Sequence, residues 1–167
     1  PEVIQAWYAA DGLLKGRASL VAAAMLMLQR LGPERGYFPE PAKSIFVCKP
    51  EDQPSAEARL EGFNFKFTEG YRYVGGFLGS DAALSKWLAP QIQQCVRGVA
   101  SLAKVAKRYP QTAFAGLTKS LQQEWQYLQR VVPDSGAAFE PVEEAIRTLF
   151  LPALLEASEA ECQRELT

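Results

Sequence analysis

The stretch Val3-Ile4-Gln5-Ala6-Trp7-Tyr8-Ala9-Ala10-Asp11-Gly12-Leu13-Leu14 decides how the front of this chain is read. Residues 2–8 form a short apolar and aromatic run with strand character. Residues 9–12 make a turn, and Leu13-Leu14 is a short returning strand, so the segment reads as a small β-hairpin. Asp11-Gly12 is a dipeptide that suits a two-residue turn with positive φ. Working outward, residues 17–31 read as a helix, with Leu20, Ala24, Met27 and Leu31 at helical spacing, Ser19 as an early cap and Gly32-Pro33 as the stop. A Pro-rich turn follows over residues 37–42, then a buried strand over residues 44–48 and a short helix over residues 54–61. Phe63, Phe65 and Phe67 alternate with Asn64 and Lys66, the pattern of a half-buried strand with one aromatic face. Glu69-Gly70 makes the turn from which residues 71–78 pair back. Gly75-Gly76 within that second strand marks a bulge or a close backbone approach.

From residue 81 the period changes to 3.6. Residues 82–108 read as one helix, stopped at Tyr109-Pro110. Residues 111–132 form a second, with Phe114, Leu117, Leu121, Trp125, Leu128 and Val132 along one face. Residues 139–150 form a third, with Phe139, Val142, Ile146 and Leu149 toward the core. Pro152 kinks or breaks it, and residues 153–165 are an acidic helical tail. The fold class this predicts is α+β: a small antiparallel sheet with helices on one face, followed by an all-helical bundle.

At 167 residues, nearly half of them apolar, the chain is long enough for one core or two small lobes. Its net charge of −1 is unevenly spread. Residues 1–80 carry 9 basic and 9 acidic side chains, residues 81–132 carry 7 and 2, and residues 133–167 carry 2 and 8. A basic middle suits a phosphate-facing surface. It equally suits a surface neutralised by the acidic end, the reading favoured by a pI near 5.6. The chain has no histidine and three widely spaced cysteines, Cys48, Cys95 and Cys162. That excludes zinc sites of the Cys/His kind and any histidine-based triad, and it suits small, inert thiols of an intracellular protein. No apolar run reaches the length of a membrane span, and the Ala/Met-rich stretch from Leu20 to Leu28 reads as a core helix. Proline rather than methionine at position 1 suggests a processed product or a fragment.

Several of these stretches resemble motifs of the retroelement-type reverse transcriptases. Tyr8-Ala9-Ala10-Asp11 is similar to the Tyr-X-Asp-Asp turn of the family's catalytic hairpin, with Ala10 where the first aspartate stands. Gly32-Pro33-Glu34-Arg35-Gly36-Tyr37-Phe38-Pro39-Glu40-Pro41-Ala42-Lys43-Ser44, leading into Ile45-Phe46-Val47-Cys48, resembles the next palm motif: a glycine, a Pro-rich turn, then a lysine entering a strand. Arg72-Tyr73-Val74-Gly75-Gly76-Phe77-Leu78-Gly79 resembles the hairpin that grips the primer end. Gln111 to Leu117 and Glu124 to Arg130 resemble helices that come after the palm. The resemblance implies the second half of a palm over residues 1–80 and a thumb-like helical lobe over residues 81–167. Fingers and an earlier palm strand with a further aspartate would precede it.

The chemistry this implies turns on the metals. Nucleotidyl transfer needs two divalent ions about 3.5–4 Å apart, clamped by carboxylates on neighbouring strands. Ala10 offers no ligand, and Asp11 alone would hold Mg²⁺ weakly, so turn chemistry is the reading preferred for Asp11. Mg²⁺ would be a cofactor only within an active polymerase; for this chain none is expected. Lys43 matches a lysine near the incoming triphosphate in the family, against the plainer reading of an exposed strand-entry lysine. Gly75 and Gly76 match the primer grip, against a simple bulge. Arg97, Lys104 and Arg108 share a helix face, flanked by Lys107; thumb helices of the family contact the template-primer backbone, whereas a solvated helix end complementing the dipole is the simpler account. Trp87, Trp125 and Tyr127 could stack on bases, with Trp125 read as core. The expectation is a catalytically inactive reverse-transcriptase-like remnant with a protein partner or larger complex and weak nucleic-acid binding. The alternatives are a fragment of an RNA-directed DNA polymerase and a non-catalytic nucleic-acid-binding module.

Overall fold

The computed structural model describes residues 3–9 and 11–156. The chain is α+β, with short strand pairs and helices at the front and helices alone at the back. Its contacts divide it into two compact units, Pro1–Val74 with Leu78–Ala83, and Gly75–Phe77 with Leu84–Thr167.

The first unit opens with the hairpin of β1 (Ile4–Tyr8) and β2 (Asp11–Lys15), antiparallel with Tyr8 opposite Asp11 and Trp7 opposite Gly12. Asp11 and Gly12 are therefore strand residues, and the positive φ is carried by Ala9 (52°) rather than by Asp11-Gly12. Cross-strand packing decides this register. The Trp7 ring lies over Gly12, where an added Cβ would come within 2.6 Å of it. Helix α1 (Ala18–Leu31) is next, with Arg17 at its N-cap and no side-chain capping bond from Ser19. Its buried residues are Val21 and Met25, with Ala18, Ala22 and Leu28 against the same cluster. Met27 (58 %) and Leu31 (39 %) are exposed, so the core stripe sits one residue away from the one expected. Almost every residue from Leu20 to Leu28 is apolar, so periodicity alone could not choose the face. Ala56, Leu60 and Phe63, which share its cluster, choose it.

A single turn of 3₁₀ helix, Pro41–Lys43, leads into β3 (Ile45–Val47), and α2 (Gln53–Arg59) comes after it. Strand β4 (Lys66–Thr68) runs parallel to β3, with Phe46 opposite Phe67. The Phe63–Phe67 segment thus pairs backward with β3 instead of forming a hairpin with residues 71–78, and only its last part is strand. Its aromatic face holds: Phe63 stacks on Phe65 at 5.3 Å, and Phe46 lies 6.4 Å from Phe65 and 5.4 Å from Phe67. The cluster built from α1 and α2 covers this face. Strands β5 (Gly70–Tyr73) and β6 (Gly76–Gly79) form a third pair, through which the boundary between the units runs. The positive φ values of Val74 (45°) and Gly75 (81°) make their turn, so Gly75 is a turn residue and not a bulge. The expected single sheet is three two-stranded pairs, one of them parallel.

The second unit is helical. Helix α3 (Asp81–Ala106) carries Pro90 in its interior and a buried stripe of Leu88, Ile92, Cys95, Val99, Ala103 and Ala106, spaced three or four residues apart. Helix α4 (Pro110–Gly116) passes through a π turn, Leu117–Leu121, into α5 (Gln122–Val131). Helix α6 (Glu140–Ala145) passes through a second π turn, Ile146–Phe150, into α7 (Leu151–Leu155). Each π turn holds one residue more than an α turn and so shifts the apolar stripe. Phe150 (0 %) is buried where Leu149 was expected, and Leu149 is 45 % exposed. Ala113 (0 %) of α4 and Leu117 at the start of the π turn face the core, and Phe114 (52 %) does not. Complete burial of a Val or Phe side chain, as at Val99, Val142, Phe139 and Phe150, is worth about 1.5–3 kcal/mol each. Among the described residues no helix is long and apolar enough to cross a membrane. Cys162, Ala10 and residues 157–165 of the acidic tail lie outside the described residues.

Candidate functional site

The hairpin tip projects its side chains outward. Tyr8 is 64 % exposed, and every residue of β1 is exposed, as is Asp11. Among the described residues no three His, Cys, Asp or Glu side chains come together as a metal-ligating group. Asp11 therefore stands as one carboxylate at the end of a strand. That is one ligand, where an octahedral Mg²⁺ site draws on several oxygens.

Lys43 ends the 3₁₀ turn before β3, and its Nζ lies 2.6 Å from Glu40 Oε2, both side chains well exposed. Such a surface pair contributes little to stability. It does hold the lysine against its own turn. Gly75 is bound to its place from two sides, by its φ of 81° and by the Tyr127 hydroxyl, which fills the space a Cβ would need. Gly76 begins β6. Trp87 is half-buried and stacks on Phe77 at 5.2 Å, Trp125 packs on the helical core, and Tyr127 is 48 % exposed.

Helix α3 ends at Ala106, two residues short of the expected end. Lys107 and Arg108 thus lie just past the helix, where the Arg108 and Tyr109 amides both donate to the Val105 carbonyl. The structure gathers Lys104, Lys107 and Arg108 at one helix end, with the Arg108 guanidinium 5.3 Å from the centre of the Tyr109 ring. Arg97 sits seven residues up the helix, about 10 Å away along its axis. All four are exposed, and among the described residues none forms an ion pair.

One feature was not anticipated from sequence. In the first unit, a cavity of about 490 Å³ lies beside the hairpin, within the size range of ligand pockets. Residues 12–16 and 44–47 line it. Val21, Met25 and Leu28 of α1 supply apolar lining, and Trp7 and Tyr37, packed edge to face at 5.6 Å, also border it. Its charged lining residues are Lys15 and Glu40. Phe65, Leu78 and Gly79 complete the lining, so segments far apart in the chain contribute and no local spacing could have announced it. The thiols play no part there. Burial pushes Cys48 above the ordinary thiol value, with Asp52 and Glu57 adding to the shift, and burial pushes Cys95 up, with Glu124 adding.

Comparison with protein-family models, curated proteins and solved structures yields no match to this chain.

Proposed function

We propose that this chain is a catalytically silent, reverse-transcriptase-like palm and thumb module that acts as a structural or protein-binding subunit of a larger assembly. The observation that carries the reading is the β1–β2 hairpin. Among the described residues it pairs with no further strand, and Ile4 (62 %), Trp7 (45 %) and Tyr8 (64 %) of β1 are exposed. A two-stranded hairpin is marginal in water by itself, and an uncharged edge strand such as Ile4-Gln5-Ala6-Trp7-Tyr8 is a template for pairing. Ala10 in the place of a metal-binding carboxylate supports silence.

Two assays test the reading. With template-primer and Mg²⁺ or Mn²⁺, the purified chain should give no primer extension above a buffer blank. Light scattering with an apolar dye should reveal association or dye uptake through the bare hairpin. A monomer at high concentration that binds no dye would remove the case for a partner. A weak nucleic-acid-binding role, resting on the exposed Lys104, Lys107 and Arg108, is the second reading; as part of a working RNA-directed DNA polymerase the chain would need carboxylates from elsewhere.

A further inference from the structure

Helix α1 carries two apolar faces, and the fold uses one. Val21, Met25 and Leu28 share a cluster with Ala56, Leu60 and Phe63. The stripe that periodicity alone would place inside, Leu20, Ala24, Met27 and Leu31, lies on the other side. Met27 and Leu31 are exposed, as is Ala23 beside them, and Leu20 and Ala24 are half-buried. A helix that is apolar all round is ordinarily covered all round. The stripe also runs past both ends of the helix. Arg17 is the N-cap, and the backbone stays helical at Gly32 before the single 3₁₀ turn Pro33–Arg35, which holds Glu34. Residues 17, 20, 24, 27, 31 and 34 recur in alternating steps of three and four, the repeat of a helix-pairing seam. The seam ends in opposite charges, Arg17 and Glu34. Both are exposed, and among the described residues neither forms an ion pair. They stand about 25 Å apart along the axis, too far to meet within one chain. Arg17 also sits without a capping bond at the helix end where the dipole disfavours a cation.

We infer that this face docks on the same face of a second copy of the chain, antiparallel, about a two-fold axis between Ala24 and Met27. That axis sets Ala24 against Met27 of the second copy, Leu20 against Leu31, and Arg17 against Glu34, each pairing occurring twice. At the centre a small side chain meets a long, adaptable one, so the helices approach closely and Met27 fills the space above Ala24. Of the other charges nearby, Arg30 faces Ala23 of the second copy across the flank, Arg35 falls level with Gly16, and Lys15 lies in β2, off the seam. A parallel arrangement would set Arg17 on Arg17 and Glu34 on Glu34, and would leave alanine facing alanine. The face itself thus selects its occupant: opposite charges at its two ends, and small against large at its middle, fit a copy of it turned round. The helix is about 21 Å long, which makes a small interface, so the dimer forms at high concentration and comes apart on dilution. The inference goes beyond the proposed function, since it requires neither a silent hairpin nor an open strand edge.

The test is sedimentation equilibrium of the whole chain at low salt over a range of concentrations. A reversible monomer–dimer equilibrium is expected. Met27→Glu places two carboxylates at the axis and should weaken the dimer about tenfold or more. Glutamate suits an exposed helix position, so the melting curve of the dilute chain should not move. Arg17→Glu and Glu34→Arg should each weaken the dimer about fivefold or more, because every dimer then holds a like-charge pair twice. Each reversal suits the dipole of α1, so the loss is not that of the helix. The double variant, Arg17→Glu with Glu34→Arg, should return to within about twofold of the parent. An equimolar mixture of the two single variants should dimerise at concentrations where neither does alone. Losses that the double variant does not recover would overturn the antiparallel register. A dimer indifferent to Met27→Glu and to both reversals would overturn the face and place self-association elsewhere, as at the open edge of the hairpin. A chain that stays monomeric up to its solubility limit would overturn the second copy; if its apolar-dye uptake then falls in Met27→Glu, a different polypeptide covers the face.

Discussion

Replacing Phe150 by alanine, and in parallel Leu149 by alanine, measures the phase of the last helical segment. Phe150 is wholly buried in the core of the second unit, and Leu149 is 45 % exposed. Phe→Ala at such a site removes the transfer free energy of the ring and leaves a cavity, together about 3–5 kcal/mol. Leu149 keeps only about half of a burial term that is worth roughly 1.5–3 kcal/mol when complete, so its loss should cost about 1 kcal/mol. For a chain of this size each kcal/mol moves the melting midpoint by roughly 2–4 °C. Phe150→Ala should therefore lower the midpoint by about 6–20 °C, and Leu149→Ala by about 4 °C or less. Thermal melts followed by far-ultraviolet circular dichroism give both numbers. Equal destabilisation by the two variants, or a larger loss at Leu149, would mean that the π turn at Ile146–Phe150 is absent and that an uninterrupted α-helix sets the core.

Ala10→Asp should not confer primer extension on the chain, since Asp11 and a new neighbour still fall short of the carboxylates that two metals need; measurable extension would refute the reading. Joint replacement of Lys104, Lys107 and Arg108 by glutamine should abolish most single-stranded nucleic-acid affinity seen at low salt and flatten its salt dependence, read by fluorescence anisotropy at two ionic strengths; affinity unaffected by salt or by the replacement would place binding elsewhere. Cys95 has its pKa raised in the fold by burial and then by Glu124, so the native state holds the proton more tightly than the unfolded one. Its contribution to stability is full below the unfolded thiol pKa and is lost as pH rises through the higher folded one. Cys95→Ala should accordingly reduce the loss of stability seen in urea melts above pH 9 relative to that at pH 7.

The helices were legible where polar residues punctuate the apolar ones. The stripe of α3 from Leu88 to Ala106 has charged or polar neighbours at each turn, so its period is plain. The start and end of α1 were legible for a similar reason, since Gly32-Pro33 stops it. Its inward face was not, because Leu20 to Leu28 is apolar nearly all round. The π turns were not legible either, since an inserted residue changes phase without changing composition; Phe114 and Leu149 were misplaced for that reason. Strand partners escaped because β3 and β4 are separated by α2 and join in parallel, a pairing that local turn residues do not encode. Of the candidate site, the exposed tip and the basic residues near the end of α3 could be read from the sequence, whereas the cavity, which needs β2, α1 and β3 assembled together, could not.

Pro90 has a consequence for how the longest helix comes apart. Proline has no amide hydrogen to give the Lys86 carbonyl, and the neighbouring Trp87 carbonyl is held by the Gln91 side chain at 3.0 Å as well as by the helix. The ladder is thinnest there, so the turns before Pro90 can fray without drawing the buried stripe from Ile92 to Ala106 with them. Opening of this short stretch costs less free energy than opening of the whole helix. Under brief exposure to a protease, the first cut within α3 is accordingly expected on the Asp81 side of Pro90, at Lys86 if the enzyme is trypsin, while the segment beyond it stays whole.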